Sequence, residues 1–183
     1  MRHLQSSKGF TLIELLVVIA IIAILAVIVA VVINPIELRK RSNDAARLSD
    51  LANLQQSINI AAQEATNSGS EILCVGGMTG TPAHCSGDSR TGTRASDGTG
   101  WVKVNLGTQK AVSMPTLPVD PINDTTYLYR YYSDGNGWEI NAKLESDQQK
   151  AKMESDGGNS NDISGTTPVG WYEVGSNLQL MGD

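Results

Sequence analysis

The chain has 183 residues, with 14 Lys and Arg against 19 Asp and Glu and a formal charge of −5. That length holds one modest domain besides a membrane helix. The acidic balance argues against non-specific nucleic-acid binding as the main task, leaving room only for a local basic patch. Aromatic residues make up 5% and there are 18 glycines, most of them after Ser68, so the expected globular part is loop-rich, β-containing and short of large anchors.

The chain opens on a short basic leader, Met1–Gly9, holding Arg2, Lys8 and His3. Ser7-Lys8-Gly9-Phe10-Thr11-Leu12-Ile13-Glu14 follows, and from Leu15 to Ile33 no side chain is charged or strongly polar. That run of about 19 residues makes a helix of roughly 28 Å, close to the ~30 Å hydrocarbon core of a bilayer. Glu14 sits at its front edge. A charged group costs ~2.5–3.5 kcal/mol at the middle of a membrane helix and less near its end. It persists there with a partner, or by reaching to the headgroups. An ordinary secretory signal is cleaved after its apolar stretch, and no Ala-x-Ala-like site follows this one. The helix is therefore expected to stay. Ala20, Ala23, Ala26 and Ala30 form a small-residue stripe suited to close helix approach, although ordinary membrane-helix composition gives the same pattern. Pro35 removes a backbone donor and disfavours helix at Asn34, so a break or kink is expected there.

These residues closely resemble the class III signal of type IV pilins and type II secretion pseudopilins. The resemblance implies cleavage between Gly9 and Phe10 by a prepilin peptidase and N-methylation of Phe10. It makes Glu14 the acid that meets the terminus of a neighbouring subunit and sets axial register. It also implies an α+β, pilin-like fold: a long N-terminal helix, half membrane and half amphipathic, packed on a small antiparallel sheet with long loops. The chain then divides into a leader (1–9), a transmembrane and filament-core helix (10–35), the amphipathic helix of the head (36–69) and a loop-rich β head (70–183). The implied partners are further copies of the chain in a helical filament, other pilins or pseudopilins, the inner-membrane assembly platform, and lipid before assembly. The leader would be cytoplasmic and the head extracytoplasmic, later on a surface or periplasmic filament. A bare positive-inside count opposes this orientation, because Arg39, Lys40, Arg41 and Arg47 follow the run. The processing signal overrules it, and Glu37, Asp44 and Asp50 dilute the far cluster. Losing Arg2 and Lys8 with the leader would move the net charge from −5 to −7.

Residues 36–67 resume helical periodicity. Ala45, Leu48, Leu51, Leu54, Ile58, Ala61 and Ala65 form an apolar stripe, with Arg47, Asn53, Gln56 and Gln63 opposite. Thr66-Asn67-Ser68-Gly69 reads as the stop. Residues 70–100 read as a long loop holding the only cysteines, Cys74 and Cys85. Outside the cytoplasm the expectation is a disulfide contributing roughly 3 kcal/mol, with free thiols as the alternative. Trp101–Leu106 alternates with period two and reads as a strand. Prolines 115, 118 and 121 mark an extended connector. Thr126–Ser133 and Trp138–Leu144 read as two strands around the turn Asp134-Gly135-Asn136-Gly137, the second with Trp138, Ile140, Ala142 and Leu144 on one face. Residues 145–154 fit one or two helical turns. Trp171–Val174 and Leu178–Leu180 read as a terminal strand. The proline-rich connector, the tyrosines and the turn again resemble major pseudopilins.

The chemistry is sparse. Asp156-Gly157-Gly158-Asn159-Ser160-Asn161-Asp162 resembles by composition the calcium loop of major pseudopilins, making calcium the one candidate cofactor and Asp156 and Asp162 its candidate ligands. A solvated acidic turn is the alternative. Asn123-Asp124-Thr125 is a glycosylation sequon, which marks a surface loop. No phosphate loop, nucleophile elbow, zinc-protease or Cys-x-x-Cys motif occurs, and His84, expected in an exposed loop, would be the only histidine left after cleavage. The reading is a structural subunit of a type IV pilus or secretion pseudopilus, and not an enzyme. The alternative is a minor or tip pilin acting as a tethered adhesin or DNA-binding module.

Overall fold

The computed structural model describes residues 9–65, 69–109, 113–164 and 169–182, with backbone alone for residues 30–33. The leader expected at 1–9 lies outside these residues except for Gly9, as does the stop expected at Thr66-Asn67-Ser68. The chain forms two compact units, Met1–Arg39 and Lys40–Asp183.

The first unit is dominated by α1 (Leu12–Ile33). Thr11, with φ −85° and ψ 153°, caps its start. The expected break falls at Asn34, whose φ of 43° is left-handed. Asparagine tolerates that region better than most residues, and Pro35 opens α2 (Pro35–Glu64), a first-turn position where its missing N–H costs nothing. Asn34 Oδ1 accepts the Glu37 N–H at 3.3 Å, satisfying one of the free donors of the new helix.

The second unit holds the rest of α2, a short α3 (Gly69–Leu73) and a four-stranded antiparallel sheet. Its strands are β1 (Cys85–Asp88), β2 (Arg130–Ser133), β3 (Trp138–Ala142) and β4 (Tyr172–Gly175), paired in that order. A single turn, α4 (Lys152–Ser155), precedes β4. The layout is α+β and pilin-like. Leu51, Leu54, Ile58 and Ala61 of α2 join Tyr131, Trp138, Ile140, Ala142 and Val174 of the sheet in one buried cluster with Trp101, Val102, Val104, Leu106 and Leu117. The β2–β3 turn is built as expected: Gly135 takes φ 83°, and Asp134 Oδ1 accepts the N–H groups of Asn136 at 2.9 Å and Gly137 at 2.7 Å.

Several expectations are corrected. Residues 70–100 are not all loop, since they contain α3 and β1. Ala45 is exposed and Leu48 only half-buried, while Arg47, expected opposite the apolar stripe, is fully buried. Trp101–Leu106 forms no strand. Trp101 and Val102 are both buried although adjacent, so the period-two pattern fails at its first step. The segment's backbone bonds also go to three separate places: Trp101 N–H to Thr93, Leu106 N–H to Ser96, and the Lys103 carbonyl to Val75 N–H. Gly87 of β1 lies so close to the Trp101 carbonyl that a Cβ would overlap it. Of Thr126–Ser133 only the last four residues are strand, and Leu178–Leu180 is not one.

Candidate functional site

The N-terminal segment is built for exposure. Gly9 and Phe10 precede the helix as irregular backbone, and Phe10 is 85% exposed. Thr11 and Glu14 form a capping box: Glu14 Oε2 accepts the Thr11 N–H at 2.8 Å and its hydroxyl at 2.7 Å. The Thr11 hydroxyl oxygen in turn accepts the Glu14 N–H at 3.3 Å. Reciprocal capping of this kind satisfies two free donors at a helix start. The Thr11-x-x-Glu14 spacing is the sequence signature of such a box, a signal that the sequence reading did not use. Behind the cap, Leu12–Val29 is long and apolar enough to cross a membrane and has no buried residue. Leu, Ile and Val point outward on every side. In water such a surface is strongly unfavourable.

The head is pinned by a buried ionic cluster. Arg47 Nε and Nη2 lie 2.6 and 3.0 Å from the two Asp120 oxygens, and Nη1 lies 2.9 Å from both Asp44 Oδ1 and Glu145 Oε1. Burial alone would lower the Arg47 pKa. The hydrogen bonds and charges of Asp120, Asp44 and Glu145 outweigh it and hold the guanidinium above its ordinary value. Asp44 also accepts the N–H groups of Glu145 and Ser146 at 2.8–3.2 Å. Within α2 the i,i+3 spacing of Asp44 and Arg47 is legible, but no spacing in the sequence links either of them to Asp120 or Glu145.

Cys74 and Cys85 are joined in a disulfide, with Cα atoms 5.7 Å apart. It ties the end of α3 to the start of β1, and both residues are buried. His84, expected to be exposed, is half-buried and stacked on Tyr132 at 4.8 Å between ring centroids. Its Nδ1 lies 3.0 Å from the Pro82 carbonyl. Asn123, the sequon residue, has its amide tied to Ser89: Nδ2 donates to the backbone carbonyl and Oδ1 accepts the hydroxyl, at 3.2 and 2.7 Å.

The two loop aspartates are used by their own turns. Asp156 accepts the Gly158 N–H at 3.0 Å through one oxygen and the Glu173 N–H at 2.8 Å through the other. Asp162, which is exposed, accepts the Ser164 N–H at 2.8 Å. No group of three or more His, Cys, Asp or Glu side chains suited to a metal occurs among the described residues.

A polar cluster lies on the sheet face opposite the core, where sequence alternation gave no reason to look for buried groups. Glu139 and Asn141 of β3 and Glu173 of β4 are 0–2% exposed. Glu139 Oε2 accepts the N–H groups of Leu180 and Met181 at 2.9 and 3.0 Å, and Glu173 Oε2 accepts that of Ser160 at 3.3 Å. Burial, reinforced by a hydrogen bond to Glu139, pushes the Glu173 carboxyl up to about 8.

An α+β, pilin-like fold with an exposed apolar N-terminal helix and a capped acid at its front defines the class. Residues 4–30 match the family model of the prokaryotic N-terminal methylation motif, the class III signal of type IV pilins and pseudopilins. No curated protein and no solved structure matches the chain. The motif implies processing by prepilin peptidase and assembly with other pilins. It points to a membrane-anchored structural protein and away from an enzyme.

Proposed function

We propose that this chain is a structural subunit of a type IV pilus or a type II secretion pseudopilus. In this reading the peptide bond between Gly9 and Phe10 is cut, Phe10 is methylated, and residues 10–35 pass from the inner membrane into the core of a helical filament. Residues 36–69 and 70–183 form the head on its surface. The single observation behind the proposal is the pairing of the methylation motif with a helix that is apolar all round and wholly exposed. Such a helix requires lipid or other apolar helices around it. Removal of the leader leaves an α-amino group with a reference pKa near ~7.7–8, which offers Glu14 a cationic partner in place of, or besides, its own cap. Gly9 has no side chain to obstruct a peptidase, and nothing crowds the place where a Cβ would be.

Mass spectrometry of intact chains and N-terminal peptides, from membranes and from sheared surface material, tests this. A methylated Phe10 terminus in the sheared fraction supports an external pilus subunit. The same terminus confined to membranes supports a pseudopilin, or a tip subunit where the copy number is low. Chains that keep Met1 in every fraction would overturn the proposal.

A further inference from the structure

We propose that Asn136-Gly137, in the turn between β2 and β3, is a site of spontaneous deamidation, and that the Asp134 carboxylate holds it in check in the folded chain. The inference rests on the turn alone and does not depend on the filament reading. Deamidation at such a pair begins when the backbone nitrogen after the asparagine attacks the side-chain carboxamide. A glycine in second place favours this, because it has no Cβ to block the approach and its backbone is the least restricted. The turn treats the two reacting groups differently. Asn136 is exposed, and its carboxamide has no hydrogen bond among the described residues. Gly137 is buried, and its N–H donates to Asp134 Oδ1 at 2.7 Å.

Packing explains why the liable pair is there. A Cβ at Gly137 would lie 2.8 Å from the Asn177 Cβ, closer than side chains tolerate, so the segment after β4 requires the glycine. The turn then ties down the backbone around it. The Ser133 hydroxyl donates to the Gly137 carbonyl at 2.6 Å and accepts the Gly135 N–H at 3.0 Å. Asp134 Oδ1 also accepts the Asn136 N–H at 2.9 Å. The N–H groups of Gly137 and Asn136 hold the Asp134 carboxyl below its ordinary range, so it is ionised at neutral pH. A hydrogen bond to an ionised acceptor is roughly twice as strong as one between neutral groups.

The carboxylate opposes the first step. The Gly137 nitrogen must lose its proton before it attacks Asn136 Cγ. A carboxylate, with a reference pKa of ~3.9, is far too weak a base to take that proton. Its charge also repels the anion that proton loss would leave on the nitrogen. Where the nitrogen is released, the N–Cγ bond forms, the Cγ–Nδ2 bond breaks, and the side-chain nitrogen leaves as ammonia with a proton from solvent. Water then opens the cyclic imide at either carbonyl, leaving an aspartyl or an isoaspartyl residue. The isoaspartyl product lengthens the main chain in a turn whose geometry sets the pairing of β2 with β3.

The test incubates the full chain in detergent, with its disulfide intact, in mildly alkaline buffer and follows Asn136 by peptide mass spectrometry. The folded chain is expected to convert far more slowly than the same chain unfolded in guanidinium. Asp134→Ala should speed conversion of the folded chain by roughly tenfold or more, the factor that corresponds to losing a hydrogen bond to a charged acceptor. It should also speed exchange of the Gly137 amide hydrogen. Asp134→Ser, which keeps a neutral acceptor, should fall between the two and serves if Asp134→Ala does not fold. Asp124→Ala removes a comparable turn acceptor elsewhere in the head and should leave the Asn136 rate unchanged. The proposal is overturned if folded and unfolded wild-type chains convert at the same rate. It is equally overturned if Asp134→Ala and Asp134→Ser both convert as slowly as the wild type, or if Asp124→Ala speeds conversion as much as they do.

Discussion

Arg47 and Asp120 are 73 residues apart in sequence and meet through two hydrogen bonds of 2.6 and 3.0 Å, with neither residue exposed. The pair fastens the proline-rich connector to α2. Removing one partner of a buried ion pair typically costs about 3–5 kcal/mol, because the other charge stays behind unpaired. Asp120→Ala is expected to lose about that much stability, and Arg47→Met more, since it strands Asp44 and Glu145 as well. Denaturant unfolding of the detergent-solubilised chain measures both. Losses within about 0.5 kcal/mol, the range of ordinary surface substitutions, would show that the cluster does not pin the head.

The Cys74–Cys85 bridge closes a short loop, with a sequence separation of 11. Chain-entropy arguments give about 3 kcal/mol for a loop of this size. Cys74→Ser with Cys85→Ser is expected to lower stability by about that amount, and reduction of the unmodified chain should do the same. Equal unfolding curves with and without dithiothreitol would contradict it.

Glu14 is capped by Thr11 within its own chain, so its assembly role, as proposed, involves trading that cap for a neighbour's amino terminus. Glu14→Leu should still insert, because it removes a charge from an apolar helix, but should assemble poorly. Thr11→Val, which removes the cap and keeps the acid, should assemble with only a modest defect, since loss of a cap costs roughly 0.5–2 kcal/mol. Filament yield in a strain expressing only the variant reads both. Normal filaments from Glu14→Leu would remove the register role.

The pH dependence follows from turn aspartates outside the membrane helix. Backbone N–H groups of Tyr127 and Thr126 hold Asp124 below its ordinary value near 3.8, and those of Gly137 and Asn136 do the same for Asp134. A carboxyl group lowered by folding binds fewer protons in the native state than in the unfolded one. Its contribution is therefore complete above about 3.8 and is lost as the pH falls through the lowered native values. Asp50, which burial pushes up despite the Tyr129 hydroxyl, acts with the opposite sign above 3.8. The expected profile is a Tm that drops below about pH 4, less steeply in Asp134→Asn, whose amide oxygen still accepts the turn. An unchanged drop in that variant would exclude Asp134 as a contributor.

The sequence made the N-terminal helix legible because a continuous apolar run admits few alternatives, and the break at Asn34 followed from the proline beside it. The buried side of α2 was legible from Leu51 to Ala61, where its partners are apolar. It failed at Arg47, whose burial depends on acids 73 and 98 residues away that no local period reveals. Alternation in β3 correctly turned Trp138, Ile140 and Ala142 inward but implied that Glu139 and Asn141 face water. They do not, because the segment around Ser160 and the chain end at Leu180 and Met181 lie over that face. Trp101–Leu106 had the pattern of a strand without a neighbouring strand to complete it, and pattern alone carries no information about pairing partners.

The even apolar surface of Leu12–Val29 has a consequence for energetics. Lipid tails are about as apolar as leucine, so moving such a helix from bilayer to bundle gains little from hydrophobicity itself. A subunit pool in the membrane and a subunit in a fibre would then stand at nearly the same level. In the proposed filament, joining and leaving the bundle would then be opposite directions of one shallow exchange, biased by terms as small as a single acid–amine contact.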